Sequence, residues 1–529
     1  MDLYKKIDLK TIELLPKLVE DYIYQNEKTA DLAQFKPNLK EIEKVIELKK
    51  DFSNRNELFN ALKNQYQGFS LSTKTANNLN LIQENNTYTI CVAHQLCLFT
   101  GPSYFIYKIL SAIKMAKILK EKYPQHNFVP VYWMGSEDHD FEEINHCYVY
   151  GKKIEWQNDE EGAVGRMSLK GMEKAIAQLE EILGNSDAER AVLNEIKTFF
   201  THKNVSYGKA FQQWIMHLFK DFGLLVIDQD DKMLKKCFAS VMQKDIEENA
   251  SMRALKNTLE YLSTNYHVQA TPRDINLFYF NENKRERIEA LNGGFQLVES
   301  KKYFTKEEIL AELNSNPENF SPNVILRPLY QETVLPNVVF MGGPGEVSYW
   351  MELKEVFNFN KIVPPIILLR DMALTLPQRD LLRLEEWNVS TEDIFGDYNS
   401  IAKRLVKQFS DNELNLNTEK NDLLKLFSTI KEKVKLIDKN LEKSVNAEEQ
   451  KTINSFSNLE DKILRAEKKQ HETTLSQLEK VKDKVFPNGT LQERHDNFLP
   501  LYTRLGKTFF EDLLKEFNSF EKEIYIFKH

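Results

Sequence analysis

Hydrophobic and polar positions change period several times along the chain. Over about residues 1–75 apolar residues recur every three or four positions, as in NLKEIEKVIELKKDF and NRNELFNALKNQYQG. That spacing predicts amphipathic helices, the second stopped at Gly68. The pattern then turns continuous. NTYTICVAHQ predicts a strand ending at His94 and Gln95. LFTGPSYFIYKILSAIKMAKILKEKYP predicts a turn at Gly101 and Pro102 and an amphipathic helix to about Lys122. NFVPVYWMGS predicts the next strand, apolar enough to be buried on both faces. The three elements form a strand–helix–strand unit, which should have parallel strands and a right-handed connection.

The same grammar returns in GKAFQQWIMHLFKDFG (helix), LLVIDQDD (strand), NVVFMGGPGEVSYWMELKEVF (strand, glycine turn, helix) and PPIILLRDM (one more strand). Charged segments at about 150–205 and 232–320 interrupt it. The reading is an α/β doubly wound parallel sheet with insertions, in which ligands bind beyond the carboxyl ends of the strands. From Leu423 the apolar positions Phe427, Ile430, Val434, Ile437 and Leu441 alternate spacings of four and three, a coiled-coil seam. SVNAEEQ reads as a polar break, after which Ile453, Phe456, Leu459 and Ile463 restart a helix. A helical hairpin or dimerising arm is expected. The division is therefore a helical part over 1–75, an α/β core over 76–385 and a helical domain over 386–529.

Composition narrows the class. The chain has 529 residues and a formal net charge of −8, which argues against a general nucleic-acid binder but leaves room for a local basic pocket. Its four cysteines match no CxxC pattern and fit a reducing cytosol. No apolar run approaches the roughly 20 residues of a membrane span. A soluble cytoplasmic protein is expected.

Four segments carry candidate chemistry. In VPVYWMGSEDHDFEEINH, Ser136, Glu137, Asp138, His139 and Asp140 follow a strand directly. Ser136 capping a helix with acids in its first turn would account for them. So would a polar site in which His139 acts as acid or base, assisted by Asp138 or Asp140, with Asn145 nearby. A metal held by carboxylates and His139 or His146 is a third reading, although no zinc-type spacing is complete. In AHQLCLFTGPSYFIYK, His94 and Gln95 end a strand, the Gly101 turn offers helix amides to an anion, and Tyr104 and Lys108 follow on the helix. In MGGPGEVSYW, Gly342, Gly343 and Gly345 permit positive φ and an anion nest, or simply a tight turn with Glu346 in the first helical turn. Just upstream, Arg327 and Gln331 face the same way. Arg327 in an apolar setting needs an anionic partner, either Glu346 or a ligand. In FPNGTLQERHDNFLP, Gln492, Glu493 and Arg494 form either a hairpin end or a polar patch.

Together, TGPSYFIYK, VPVYWMGSEDHDFEEINH, SPNVILRPLYQETVLPNVVFMGGPGEVSYWMELKEVF and NGTLQERHDNFLP resemble the cysteine-adding enzymes of bacillithiol biosynthesis, in the family's order and over nearly the whole chain. The resemblance implies a Rossmann-like core akin to class I aminoacyl-tRNA synthetases and nucleotidyltransferases, with connecting-peptide insertions and a C-terminal coiled coil that makes a homodimer. It implies ligation of cysteine to the glucosamine amine of glucosaminyl malate, with ATP or ADP as cofactor. Nucleotide contacts would fall on Gln492, Glu493 and Arg494. His139, Asp138, Asp140 and His94 would be catalytic. The glycine turns, Lys108 and Arg327 would hold anionic groups, and Gln95, Tyr104, Ser136, Glu137, Asn145, Gln331 and Glu346 would bind substrate. Neither an HxGH signature nor a KMSKS-like loop accompanies His94, which weighs against direct ATP activation. Another adenylating enzyme on the same core, or a coiled-coil assembly protein, are the alternatives.

Overall fold

Five apolar segments become the strands of one parallel sheet: β1 (Thr87–His94), β2 (Asn127–Met134), β3 (Leu225–Asp228), β4 (Asn337–Gly342) and β5 (Ile366–Leu369), in the order β5-β4-β1-β2-β3. The computed structural model describes residues 1–202, 204–410 and 414–529. Nearly every residue of these strands is buried, as their continuous Val/Ile/Leu/Phe patterning requires when helices cover both faces. The chain runs outward from β1 to β3, then returns to the other side of β1 for β4 and β5. This is the doubly wound order, with its switch point between β1 and β4. Register aligns the strand ends: His94 pairs with Met134, Met134 with Asp228, and Gly342 with Leu369.

Helix α1 (Tyr104–Lys122) connects β1 to β2, and α2 (Pro344–Glu352) follows β4. Before α1 the chain turns at Gly101, where φ is +63° and a Cβ would lie 2.7 Å from Cys97 Cβ. Only glycine fits both constraints.

PPIILLRDM, read as one strand, divides in two. After β5 the chain bends at Arg370 and Asp371, and Met372–Leu376 joins a three-stranded sheet with Asp2–Asp8 and Glu523–Lys528. The opening segment, read as wholly helical, therefore begins with a strand whose partner is at the other end of the sequence.

Asp371, 3% exposed, accepts a hydrogen bond from the Ser519 hydroxyl at 2.7 Å. Burial pushes its carboxyl up to about 6 from an ordinary 3.8. The folded state thus holds this proton more tightly than the unfolded chain. The stability it contributes is complete below about pH 4 and is lost as pH rises through about 6. An Asp371→Asn variant should gain melting temperature relative to wild type as pH rises across that window. A constant difference between the two would refute the assignment.

The insertion between β3 and β4 holds a five-stranded antiparallel sheet. Its order is Tyr303–Phe304, Gly294–Leu297, Lys284–Leu291, Leu277–Asn281, Phe320–Pro322. The two-residue period of Lys284–Leu291 sends Arg285 and Arg287 to one face and Glu286 to the other. Glu286 is 1% exposed and accepts from Asn281 and from the amides of Glu299 and Ser300.

The chain forms two compact units, Met1–Thr375 with Glu493–Phe527 and Leu376–Gln492 with Lys528–His529. The second contains a hairpin of helices Asn417–Lys435 and Leu441–Gln470, tied antiparallel by the ion pairs Lys420–Glu460 and Lys431–Glu449. The hairpin turns at Leu436–Asn440, where the Asn440 amide bonds the Asp438 side chain at 2.9 Å. Its position differs from the break read at SVNAEEQ, which lies inside the second helix. Glu, Ala and Gln are good helix formers, so polarity alone does not end a helix with an exposed face. No helix among the described residues is long and apolar enough to cross a membrane.

Candidate active site

All five strand ends open on one cavity of about 670 Å³. His94 and Gln95 line it beyond β1, Asp138 beyond β2, Gln229 beyond β3, Gly343 beyond β4 and Arg370 beyond β5. The inserted antiparallel sheet supplies a wall carrying Phe278, Arg285 and Arg287. The lining holds seven cationic side chains (Lys108, Arg273, Arg285, Arg287, Arg327, Arg370, Arg494) against three carboxylates (Asp138, Glu143, Glu346). A concave site with this excess draws in and orients anions, although the chain as a whole carries a net charge of −8.

The acidic side lies around Asp138. Its Oδ2 accepts from Gln95 Nε2 at 2.6 Å, and its Oδ1 accepts from the amides of His139 and Asp140 at 2.7 and 3.3 Å. Gln95 Nε2 also donates to Glu143 at 2.9 Å. His94 packs against Tyr104 and Phe105, with Nε2 3.4 Å from the Tyr104 hydroxyl and 3.8 Å from Cys97 Sγ. Burial, then Lys108 and Arg370, hold its pKa well below the usual histidine value, so it is neutral. The metal reading gains nothing, because no group of metal-binding residues occurs among the described residues.

Several expected residues sit elsewhere. His139 is outside the lining; its Nδ1 lies 3.2 Å from Arg285 Nη1 and its ring packs on Phe278. Since arginine only donates, Nδ1 accepts and Nε2 carries the hydrogen. Burial and Arg285 lower its pKa, and it braces the guanidinium. Asp140, not Ser136, caps the short helix Phe141–Ile144 by accepting from the Glu143 amide. Ser136, 1% exposed, donates to Asp228, and Glu137, fully buried, is paired with Lys235. Asn145 bonds His146 at the end of that helix. The Gly101 amide is bonded to Leu98 O at 2.8 Å, so it has no donor for an anion.

The glycine turn differs from expectation. Gly342, Gly343 and Gly345 have no positive φ, and Gly343 is extended at φ −74°, ψ 172°. Its amide donates to Glu346 Oε2 at 2.8 Å, and the same carboxylate pairs with Lys108, which is 2% exposed and also donates to Ala93 O at 2.9 Å. Glu346 therefore fills the nest itself. Arg327 donates to Gln331 Oε1 at 3.2 Å and to the Tyr349 hydroxyl at 2.6 Å. Gln331 is fully buried and acts on the cavity only by holding Arg327. Glu493, 1% exposed, binds Arg370 in a two-pronged pair at 2.5 and 3.0 Å and accepts from the Ala373 amide at 3.1 Å. Arg494 lines the cavity, whereas Gln492 belongs to the second compact unit.

Arg273, Arg285, Arg287 and Arg370 join the lining without standing in any of the four candidate segments. Alternation in KRERIEAL was the available signal for the middle two; nothing local marked Arg273 or Arg370.

A switch-point crevice with a cationic lining and proton acceptors at its strand ends defines a small-molecule enzyme of the Rossmann-type α/β class. Sequence comparison gives the particular family. The chain belongs to the BshC family of bacillithiol biosynthesis, matching its N-terminal Rossmann-like domain over residues 3–371 and its C-terminal coiled-coil domain over residues 373–529. Relatives named "putative cysteine ligase BshC" include those of Flavobacterium johnsoniae (37% identity, 97% of this chain and 98% of that one), Flavobacterium psychrophilum (36%, 97% and 97%) and Christiangramia forsetii (35%, 96% and 96%). Among solved structures, one titled as a putative arginyl-tRNA synthetase from Campylobacter jejuni matches 80% of this chain and all of that one at 11% identity. Its TM-score of 0.21 is too low to compare the folds.

Proposed function

We propose that this protein joins the carboxyl group of cysteine to the glucosamine amine of glucosaminyl malate, the last step of bacillithiol synthesis. The observation that carries the reading is the division of charge in one crevice. The arginine-rich side suits the two malate carboxylates, and the side around Asp138, Gln95 and His94 suits the amine and the cysteine. When the amine attacks, a C–N bond forms and a C–O bond breaks; one N–H proton leaves the nitrogen, and in the net reaction it departs with the carboxyl oxygen as water. Asp138 is the proton acceptor of this reading: three of its roughly four acceptor sites are already taken, which fixes its direction and leaves one for the amine. Arg327 and Arg285, held by Gln331 and His139, position the malate.

A free carboxylate is a poor acyl donor, and an adenine nucleotide would supply the activation. Of the three residues expected to hold it, Arg494 lines the cavity, Glu493 is a buried anion committed to Arg370, and Gln492 belongs to the second compact unit. No step is routed through a nucleotide. Pairing with a second copy through the helical hairpin belongs to the same proposal; Leu436 and Ile437 at its turn are 89% and 79% exposed.

A strain lacking the gene should accumulate glucosaminyl malate and lose the cysteine-containing thiol. An unchanged thiol pool would remove the ligase reading.

A further inference from the structure

The floor of the crevice beneath Tyr104 holds a donor without an acceptor. Arg370 is 2% exposed, and both its terminal nitrogens are bonded, to Glu493 and to Asp371 O. Its Nε is buried with no hydrogen-bond partner. An unsatisfied charged donor at such a depth costs stability unless something else meets it. Nε lies beside the glycine turn: a Cβ on Gly343 would lie 3.8 Å from it and 3.5 Å from Glu346 Oε2. Around Gly345 there is open space, with nothing within 4 Å of a would-be Cβ. The Tyr104 ring lies 5.2 Å from the Arg370 guanidinium carbon, and the exposed Arg494 completes the lining.

Two cations here are already matched, Arg370 by Glu493 and Lys108 by Glu346. The second match is unlike the first. Glu493 is fully enclosed, whereas the Glu346 side chain is 20% exposed and borders the cavity. It satisfies Lys108 and the Gly343 amide with a carboxylate that comes from the protein itself.

We propose that this floor is an anion subsite for one carboxylate of a small dicarboxylic acid, formed by Lys108, Arg370 and Arg494, and that Glu346 is its displaceable resident. A carboxylate is favoured over a phosphoryl group because these donors are already arranged around one. An entering carboxylate takes Lys108 and the Gly343 amide from Glu346 and gives Arg370 Nε its missing acceptor. The inference deepens the ligase reading by naming where part of the malate binds, and it rests on that reading only for the identity of the acid.

The test is titration calorimetry of the full-length protein with L-malate, and separately with inorganic phosphate, at fixed ionic strength. Glu346→Gln, which removes the competitor, should tighten malate binding about fivefold or more. Arg494→Gln and the charge-retaining Arg370→Lys should each weaken it about tenfold, since arginine's fixed fork is not reproduced by an ammonium. Circular dichroism checks that Arg370→Lys is folded, and Arg494→Gln stands independently if it is not. Malate affinity that is unchanged or weakened in Glu346→Gln overturns the proposal. So does phosphate binding that equals malate binding in every variant. Malate binding with the expected pattern but no amide formation would keep the subsite and sink the ligase reading.

Discussion

Asp138→Asn should lower amide formation by about 10²–10⁴-fold, the usual contribution of a positioned proton acceptor. The substitution keeps shape and most of the local bonding. An asparagine oxygen can still accept from the amides of His139 and Asp140, which Asp138 Oδ1 now holds at 2.7 and 3.3 Å. Its amide nitrogen cannot accept a proton or the Gln95 contact. The loss should appear in kcat, with the melting temperature little changed. His139→Ala is the informative companion. It removes only the brace on Arg285, so it should cost about tenfold at most and act chiefly on KM for the malate-bearing substrate. Loss of turnover in His139→Ala with near-normal rates in Asp138→Asn would exchange their roles.

Arg370→Met should destabilise the first compact unit by about 3–5 kcal/mol, the range for removing one partner of a buried ion pair. Methionine leaves Glu493, 1% exposed, without its guanidinium partner and still accepting from the Ala373 amide at 3.1 Å. The cost arises from the stranded carboxylate more than from the lost attraction. Arg370→Met combined with Glu493→Gln should therefore recover much of the loss. Urea denaturation followed by tryptophan fluorescence reads both. A single variant within about 1 kcal/mol of wild type would show that water reaches Glu493 and that the pair is not load-carrying in the fold.

How far the site was legible follows from where each residue's neighbours are in the chain. His94, Gln95, Asp138, Gly343 and Glu346 stand at the ends of apolar runs, and a buried parallel strand must deliver its last polar residue to one edge of the sheet. Their convergence could thus be read from local pattern. Arg370 also ends such a run, but its partner is 123 residues away, so nothing nearby distinguishes it from a solvated arginine. His139 was conspicuous because histidine has chemistry near neutral pH; its ring direction is set by Arg285 and Phe278 in a sheet 130 residues and more downstream. The Gly342–Gly345 turn was correctly placed but wrongly filled, since the sequence lists Glu346 without saying that its side chain folds back.

By itself the sequence determined the alternation of buried strands and amphipathic helices, the helical hairpin and the edge at which polar residues gather. Period and burial are properties of consecutive residues, and short-range sterics and hydrophobic transfer act on them directly. Tertiary structure decided which charges meet: Lys108 with Glu346, Arg370 with Glu493, and a wall of arginines from an inserted sheet over the strand ends. A charge in a crevice takes its role from partners within a few ångströms in space, and the chain brings those partners from hundreds of residues away.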